Sequence, residues 1–327
     1  VLFRSGDHFV VCTEEDDEYA KEITDKIRSE LKTYPIDMNV EVSCGIYHVH
    51  GRDKSINIMC DRAHIAVNSI KGNYARHVAV YDDSHREAII HSQLIVSEMN
   101  RAMEQRQFHV YLQPKFNMET EKIIGAEALV RWVHPERGIL PPGDFIPIFE
   151  HNGFIGQLDL YMFEETCKVL RRWLDGGRQP VPVSVNLSRV GFYNPKLCEH
   201  LYKTAQKYRL PLDLLELEVT ETAYASDSRT IHSHIRQLRR MGFKILMDDF
   251  GSGYSSLNML KEAPVDQIKL DMRFLSEPDP YGRAETILQM VIAMGKALSI
   301  PVLAEGVETK GQVEMLKSYS CCLAQGY

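Results

Sequence analysis

The chain has 327 residues, 44% of them hydrophobic, and a formal net charge of −7. This length suits about two domains with a sizeable core, and the acidic balance argues against a protein that coats nucleic-acid polymers, whose footprint would be basic. Seven cysteines without a CxxC spacing predict reduced thiols and a cytoplasmic location rather than a disulfide framework.

No apolar run approaches the roughly 18 to 20 residues needed to span a bilayer. The sequence also has no signal peptide and no initiator Met. We therefore expect a cytoplasmic region, with membrane attachment only if an upstream segment outside this sequence supplies it.

Residues 1–83 alternate short strand candidates with helical segments, which predicts a small α/β or α+β unit. The strands are HFVVCT, VEVSCGIYHV and HVAVYDD, and the helices are DDEYAKEITDKIRSELKTY and SINIMCDRAHIAVNSI. Residues 84–107 carry apolar side chains at helical spacing. We interpret them as a connecting helix without a chemical role.

From residue 108 to 327 a regular alternation of strands and helices begins. The strand candidates are HVYLQP, GAEALVRW, VPVSVNLS, LLELEVTE, KILMDDF, QIKLD, PVLAEGV and CLAQGY. Eight alternating strands predict a closed, TIM-like (β/α)8 barrel of the α/β class. Only NMETEK joins the first strand to the second, which is too short for a crossover helix, so we expect an antiparallel first strand.

The alternation of side chains along these strands separates apolar from polar positions. In LLELEVTE, Leu215 and Leu217 share one face, and Glu216 and Glu218 share the other. Most strands carry such a polar side chain near the C-terminal end, where barrel enzymes place their active sites. The set at this mouth is Glu127, Asn186, Glu218, Asp248, Asp249, Lys269 and Glu305.

Helix capping is the ordinary alternative for a segment such as DDFGSGYSSL, because Asp, Ser and Gly favour turns and N-caps. It could account for that segment alone. It does not account for Asn186, Glu218 and Lys269, which stand within their strands.

Five carboxylates at one mouth would repel each other strongly without cations. Oxygen ligands without a convergent His or Cys cluster predict Mg²⁺ or Mn²⁺ rather than zinc. The number of carboxylates favours two ions, with Asp248 placed to bridge them, and such a pair suits an in-line displacement at phosphorus.

Two cationic side chains accompany the carboxylates. Lys269 could orient or help deprotonate the attacking water or neutralise developing charge, or it could serve only as a structural partner of the carboxylates. Arg131, on the same strand face as Glu127, could bind phosphate in a bidentate manner, or it could form an ordinary surface salt bridge.

Residues 108–327 resemble an EAL domain, the family of cyclic di-GMP phosphodiesterases. The motifs that carry the resemblance are EALVRW, VNLS, LEVTET, DDFGSGYSSL, IKLD, AEGVET and QGY, in this order. The resemblance implies metal-dependent hydrolysis of cyclic di-GMP to linear 5′-pGpG in bacterial second-messenger signalling. It also implies a homodimer formed through this domain.

The resemblance further implies a role for each matching position. One ion would be held by Glu127, Asn186, Glu218 and Asp248, and the other by Asp248, Asp249 and Glu305. The catalytic residues would be the metal ligands Glu127 and Asp248 together with Lys269 and Gln325. The last two would act at the attacking water. The substrate contacts would be Gln113, Leu129 and Arg131. Ser252 stands where Thr is common, and Cys322 stands where Asp is frequent.

Two further carboxylates, Glu221 and Glu308, would support the ligands without binding metal. Glu221 follows Glu218 by three residues and has the opposite strand parity, so we expect it at the barrel mouth and not in the core. The resemblance suggests that it accepts hydrogen bonds from the loop around Gly251–Ser255.

The first unit resembles the second half of a GGDEF diguanylate cyclase domain. RSGDHF stands at the position of that family's signature hairpin, and SCGIY and KGNY…VAVYDD fit its later elements. His8 replaces the metal-binding Glu, Ser5 replaces a Gly, and the first half of the domain is missing from the sequence. We therefore expect residues 1–83 to be a degenerate, partial domain without cyclase activity, either structural or dimerising.

Three other functions remain open for the barrel. It could capture cyclic di-GMP without cutting it and act as a receptor or regulatory module, although every ligand position is filled. It could hydrolyse another nucleotide, since the metal chemistry would look the same. A purely structural role would leave the inward carboxylates without a purpose.

Overall fold

The computed structural model describes residues 2–5, 8–14, 17–33, 40–49, 55–71, 76–225, 229–251, 265–271 and 282–326. The chain divides into two compact units, Val1–Ser97 and Glu98–Tyr327. Gly6 and Asp7 of the RSGDHF segment, and Ser252 with the remainder of its glycine-rich segment, lie outside the described residues.

The first unit contains two small sheets. Strands β1 (Leu2–Ser5) and β2 (His8–Val11) form an antiparallel hairpin, and β3 (Cys44–Ile46) and β4 (Val78–Val80) pair in parallel. Helices α1 (Asp17–Thr33) and α2 (Ile56–Ser69) match their predicted bounds within one residue, while β3 and β4 are shorter than predicted. Helix α3 (Asp83–Glu104) corresponds to the predicted connecting helix and contains the boundary between the two units.

The second unit is a closed eight-stranded barrel. Its strands are β5 (Phe108–Asn117), β6 (Lys122–His134), β8 (Val183–Asn186), β9 (Leu215–Thr220), β10 (Lys244–Phe250), β11 (Gln267–Asp271), β12 (Val302–Val307) and β13 (Leu323–Gly326). A short strand, β7 (Gly138–Leu140), extends the pairing of β6 outside the barrel.

Helices separate most of the barrel strands, as the alternation predicts. They are α4 (Pro142–Asn152), α5 (Ile155–Asp175), α6 (Leu197–Lys207), α7 (Glu221–Ala225), α8 (Arg229–Met241), α9 (Ala284–Ala297) and α10 (Lys310–Ser318). Two short 3₁₀ turns lie at Gly191–Tyr193 and Leu212–Leu214. No helix among the described residues combines the length and the apolar composition needed to cross a membrane.

The reversed first strand is confirmed. Strand β5 is antiparallel to both of its neighbours, β6 and β13, whereas the other barrel pairs are parallel. The cause lies in the link between Asn117 and Lys122, which is long enough for a hairpin but not for a crossover. Because β5 runs backwards, its first residue lies at the barrel end where the parallel strands finish.

Apolar packing holds the barrel wall together. Leu215, Leu217 and Val219 are fully buried on one face of β9. An aromatic cluster fixes α4 to the first two strands, with Trp132 and Phe145 rings 5.6 Å apart and Phe108 5.1 Å from Trp132. Burying each such ring stabilises the fold by about 1.5–3 kcal/mol.

Candidate active site

The strand register gathers the predicted polar side chains at the C-terminal end of the parallel strands. Asn186 lies beside Glu218 across the β8–β9 pair, and Glu305 lies beside Gln325 across the β12–β13 pair. Gln113 of the reversed strand lies opposite Glu127. Side-chain alternation then turns these residues into the barrel, so a polar cluster forms where the sequence predicts one.

Lys269 occupies the centre of this cluster. Its side chain is 1% exposed, and its Nζ lies 2.5 Å from Glu218 Oε2 and 2.7 Å from Glu305 Oε1. Glu127 Oε2 and Asp248 Oδ1 are each 3.1 Å away. Burial alone would lower the pKa of Lys269, but these four carboxylates raise it well above its usual value. The ammonium therefore compensates charge from four strands at once.

Two amides hold Glu127 in place. Asn186 Nδ2 donates to Glu127 Oε1 at 2.8 Å, and Gln325 Nε2 donates to Glu127 Oε2 at 2.7 Å. Gln325 Nε2 also donates to Gln113 Oε1 at 2.9 Å. Gln325 Oε1 is buried and accepts no hydrogen bond from the part of the chain that the structure describes. The site thus contains one free acceptor that water or a ligand could satisfy.

Asp248 and Asp249 reach the same side of the barrel because β10 is irregular at this point. Adjacent residues of a regular strand point to opposite faces. Asp249 instead has a left-handed backbone, with φ of 54°, and the β10–β11 register shifts between Met247 and Phe250. Asp248, Asp249 and Glu305 consequently each offer an oxygen within 4.8 Å of the others. Bulges that re-aim side chains are common beside active sites.

This three-carboxylate group carries an electrostatic cost. Burial raises the pKa of Asp248 to about 6, with Lys269 opposing the shift and the neighbouring carboxylates adding to it. Burial raises the pKa of Glu305 to about 8, again against Lys269 and with help from Asp248. One ammonium does not balance so many buried carboxylates. The donor set therefore fits divalent cations that prefer oxygen ligands.

Glu218 is bound from two sides. Its Oε2 contacts Lys269, and its Oε1 lies 3.1 Å from the Nζ of Lys115, a buried residue of β5. Burial would raise the pKa of Glu218, but Lys269 and Lys115 hold it below its usual range. Lys115 Nζ also lies 2.7 Å from Ser184 Oγ and 3.5 Å from Glu216 Oε2. The sequence reasoning missed Lys115, although it shares the strand parity of Gln113.

The two predicted supporting carboxylates, Glu221 and Glu308, differ in burial and in their contacts. Glu221 accepts a hydrogen bond from Gly251 N at 2.9 Å, so the predicted contact with the loop after Asp249 is confirmed at its first residue. The expectation that Glu221 lies outside the core is wrong: it begins α7 and is 2% exposed, so strand parity does not apply. Glu308 is exposed, and within the described residues its side chain forms no hydrogen bond or ion pair with a ligand of the cluster.

Leu129 and Arg131 continue the inner face of β6 above Glu127. Leu129 lies opposite Tyr111 of β5, and the guanidinium of Arg131 lies 5.8 Å from the centre of the Tyr111 ring. Arg131 donates to Val130 O and forms no ion pair within the described residues. The alternative role for Arg131, an ordinary surface salt bridge, is therefore not seen among the described residues.

The VNLS motif has a structural partner that the sequence reasoning did not find. Asp159 of α5 accepts hydrogen bonds from Ser188 N at 2.8 Å and Ser188 Oγ at 2.6 Å. Ser188 follows Asn186 by two residues, so this contact fixes the segment just after the predicted ligand. Burial raises the pKa of Asp159 to about 7 even though both hydrogen bonds oppose the shift.

The comparison with known families agrees with this geometry. A model of the EAL domain matches residues 96–327, which is most of the chain. The chain belongs to the EAL domain family. The match begins at residue 96, at the end of the first unit.

Curated relatives include proteins named as cyclic di-GMP phosphodiesterases. The chain is 31% identical over 328 residues to the bifunctional diguanylate cyclase/cyclic di-GMP phosphodiesterase MucR of Pseudomonas aeruginosa, covering 98% of this chain and 48% of that protein. It is 32% identical over 220 residues to the cyclic di-GMP phosphodiesterase PA2567 of the same organism, covering 67% of this chain and 37% of that protein. The chain thus spans less than half the length of both relatives.

Solved structures share the barrel. The PaMucR phosphodiesterase in its c-di-GMP complex superimposes with a TM-score of 0.67 at 36% identity, covering 71% of this chain and 94% of that one. The EAL enzyme Bd1971 in its cAMP- and cyclic-di-GMP-bound form gives a TM-score of 0.67 at 25% identity, covering 83% of this chain and 71% of that one.

Proposed function

We propose that this chain hydrolyses one phosphodiester bond of cyclic di-GMP to give linear 5′-pGpG, as part of bacterial second-messenger signalling. The observation that carries the proposal is the convergence of carboxylates, amides and Lys269 at the C-terminal end of the barrel. The names of the relatives and the ligand in the PaMucR structure support the choice of substrate.

The proposal includes two divalent cations, Mg²⁺ or Mn²⁺. One would be held by Glu127, Asn186, Glu218 and Asp248, and the other by Asp248, Asp249 and Glu305. When bound, such a pair stabilises the attacking and leaving oxygens of an in-line displacement. The raised pKa values of Asp248 and Glu305 support this reading, because the buried carboxylates need more positive charge than Lys269 supplies.

The reaction consumes one water molecule. Its hydroxyl joins phosphorus, the bond from phosphorus to O3′ breaks, and O3′ takes up a proton, which leaves the phosphate on the 5′ end of the product. We assign Lys269 and Gln325 to orienting the water and neutralising charge that develops around it. We assign Gln113, Leu129 and Arg131 to contacts with the substrate, with the guanidinium suited to a phosphate oxygen.

The direct test is to incubate the 327-residue chain with cyclic di-GMP and either Mg²⁺ or Mn²⁺ and to separate the nucleotides by chromatography. We expect pGpG to appear with time in wild type and to be abolished in Asp248→Asn, which keeps the side-chain volume and loses the charge. Tight binding of intact cyclic di-GMP without cleavage would instead favour the receptor function.

Three wider assignments belong to the same proposal. We assign residues 1–83 to a degenerate, partial GGDEF-like domain, residues 84–107 to a connecting helix, and residues 108–327 to the phosphodiesterase barrel. We also propose a cytoplasmic location for this region and a homodimer formed through the barrel domain. Light scattering on the purified chain measures the oligomeric state directly.

A further inference from the structure

The deeper layer of the barrel contains a second buried lysine. Lys115 is 2% exposed and lies opposite Gly125 in the β5–β6 pair, two residues below the level of Glu127. A buried ammonium is costly unless charged and hydrogen-bonding partners surround it. Lys115 has three such partners: Ser184 Oγ at 2.7 Å, Glu218 Oε1 at 3.1 Å and Glu216 Oε2 at 3.5 Å.

The backbone leaves room for this side chain. A Cβ added at Gly125 would lie at an ordinary contact distance of 3.5 Å from Lys115 Cδ and would crowd Pro182 O at 3.2 Å, so the lysine stem runs directly beside this glycine. Ser184, which has no exposed surface, holds the ammonium from β8, which is separated from β5 by β6. Lys115 is therefore enclosed, and its Nζ has a fixed position beneath the site.

The two oxygens of Glu218 are divided between the two lysines. Oε1 faces Lys115 from the deeper layer, and Oε2 faces Lys269 at 2.5 Å from the mouth side. A carboxylate held by one oxygen cannot rotate freely about its last bond. Its other oxygen is then presented in one direction, towards Lys269, which also contacts Asp248 and Glu127.

We propose that Lys115 is a positioning residue of the active site, which fixes Glu218 through Oε1 and so presents Oε2 to the cation that Glu218 would bind. This inference rests on the proposed function. Lys115 itself touches neither substrate nor reacting atoms, because it lies a layer below Glu127. Partners that orient metal ligands commonly change metal affinity or activity by about 10- to 100-fold when they are removed.

The test compares Lys115→Met, which keeps a long stem without charge, with wild type by calorimetric titration of Mn²⁺. We expect binding to weaken by about tenfold. In a Glu218→Gln background the same substitution should change the Mn²⁺ affinity by less than about twofold, because the effects of substituting two residues that act together do not add. Lys122→Met, at an exposed position on the adjacent strand, is the matched control and should bind Mn²⁺ like wild type.

Kinetics provide a second readout. At saturating Mn²⁺, Lys115→Met should lower kcat for cyclic di-GMP by about 10- to 100-fold, while KM stays within about twofold of wild type because Lys115 does not reach the substrate. If wild type binds Mn²⁺ but leaves cyclic di-GMP intact, the proposed function fails, and the calorimetric comparison still decides the role of Lys115.

Wild-type or tighter Mn²⁺ binding by folded Lys115→Met would overturn the inference, because the ammonium would then act only as a packing group or a competing charge. Should Lys115→Met fail to fold, Ser184→Ala decides the question. It keeps every charge and removes the 2.7 Å contact that holds Lys115, together with the hydrogen bonds of Ser184 Oγ to Ala126 O at 3.4 Å and to Glu218. We expect it to weaken Mn²⁺ binding by about threefold, a smaller loss than for a direct partner, and an unchanged affinity would count against the positioning role.

Discussion

The Nζ of Lys269 and the Oε2 of Glu218 lie 2.5 Å apart, and both side chains are almost completely buried. These residues come from β11 and β9, which are separated in the barrel by β10. Their contact therefore crosses the barrel interior beside Asp248. Removing either partner would leave a buried charge with fewer opposite charges around it.

Replacing Lys269 with Met should have two effects. Turnover of cyclic di-GMP should fall by about 10²- to 10³-fold, the usual cost of losing one group that stabilises developing charge. In EDTA the free energy of unfolding should fall by about 3–5 kcal/mol, because four carboxylates lose their common ammonium. Kinetic assays and denaturant unfolding measure the two effects. Lys244→Met, exposed at the start of β10, is the control and should change neither.

Divalent cations should control activity in a selective way. Turnover should require Mg²⁺ or Mn²⁺, be lost in EDTA and be inhibited by Ca²⁺, because Ca²⁺ prefers more oxygen ligands at longer distances. Product formation is measured while Ca²⁺ is titrated into enzyme with Mg²⁺ held constant. Full turnover in EDTA would contradict the two-cation site.

Glu221 should affect both activity and stability. Its hydrogen bond from Gly251 N holds the segment immediately after Asp249, so Glu221→Ala should lower turnover by about 10²-fold through misplacement of that residue. Because Glu221 is buried, the same change should also cost about 1–3 kcal/mol of stability through the unpaired N–H. Glu221→Gln keeps an acceptor for Gly251 N, so it should lose less turnover and less stability than Glu221→Ala. If Glu221→Ala melts earlier but turns over normally, the residue only stabilises the fold.

The Asp159 carboxyl should make the stability of the barrel depend on pH. Its pKa rises from 3.8 to about 7 in the folded protein, mainly through burial, with Glu150 adding to the shift. The folded state therefore binds the proton more tightly than the unfolded state. The contribution of this proton to the free energy of unfolding is complete below about pH 4 and is lost as the pH rises through 7. In total it is on the order of 4 kcal/mol.

Asp159→Asn removes this titration and keeps one acceptor for Ser188. Denaturant unfolding at several pH values should show wild type losing stability relative to Asp159→Asn between about pH 4 and 7. A constant difference between the two proteins over that range would mean that Asp159 does not titrate there.

The first unit should not synthesise cyclic di-GMP. His8 lies opposite Ser5 in the β1–β2 hairpin. In the GGDEF-like domain that we propose for residues 1–83, it would stand where a cyclase carries a metal-binding Glu. An imidazole does not replace that carboxylate as a Mg²⁺ ligand. Incubation with GTP and Mg²⁺, in the Asp248→Asn variant so that product is not degraded, should yield no cyclic di-GMP. Product under these conditions would refute the expectation.

The sequence predicted the barrel well because its signals are local. A six-residue link predicts an antiparallel pair, and period-two alternation places Glu218 and Lys269 on the inner face. The sequence predicted side-chain positions less well where a strand is irregular or continues past a proline. The left-handed backbone of Asp249 depends on the β10–β11 register, which no local pattern specifies.

Lys115 was missed for a related reason. The first strand was expected to span HVYLQP and so to end at Pro114. Strand β5 instead continues to Asn117 in pairing with β6, and this carries Lys115 inside the barrel. Glu221 was misplaced because a helix begins there, so the alternation used for the strand no longer held.

The backward direction of β5 determines where the polypeptide enters the barrel. In an all-parallel barrel the first strand starts at the face opposite the active site. Here Phe108 starts at the rim where the parallel strands end, and Gln113, which accepts a hydrogen bond from Gln325, follows only five residues later. A mechanical pull on the segment before Phe108 would therefore act on the rim that contains the carboxylates, without first passing through the body of the barrel.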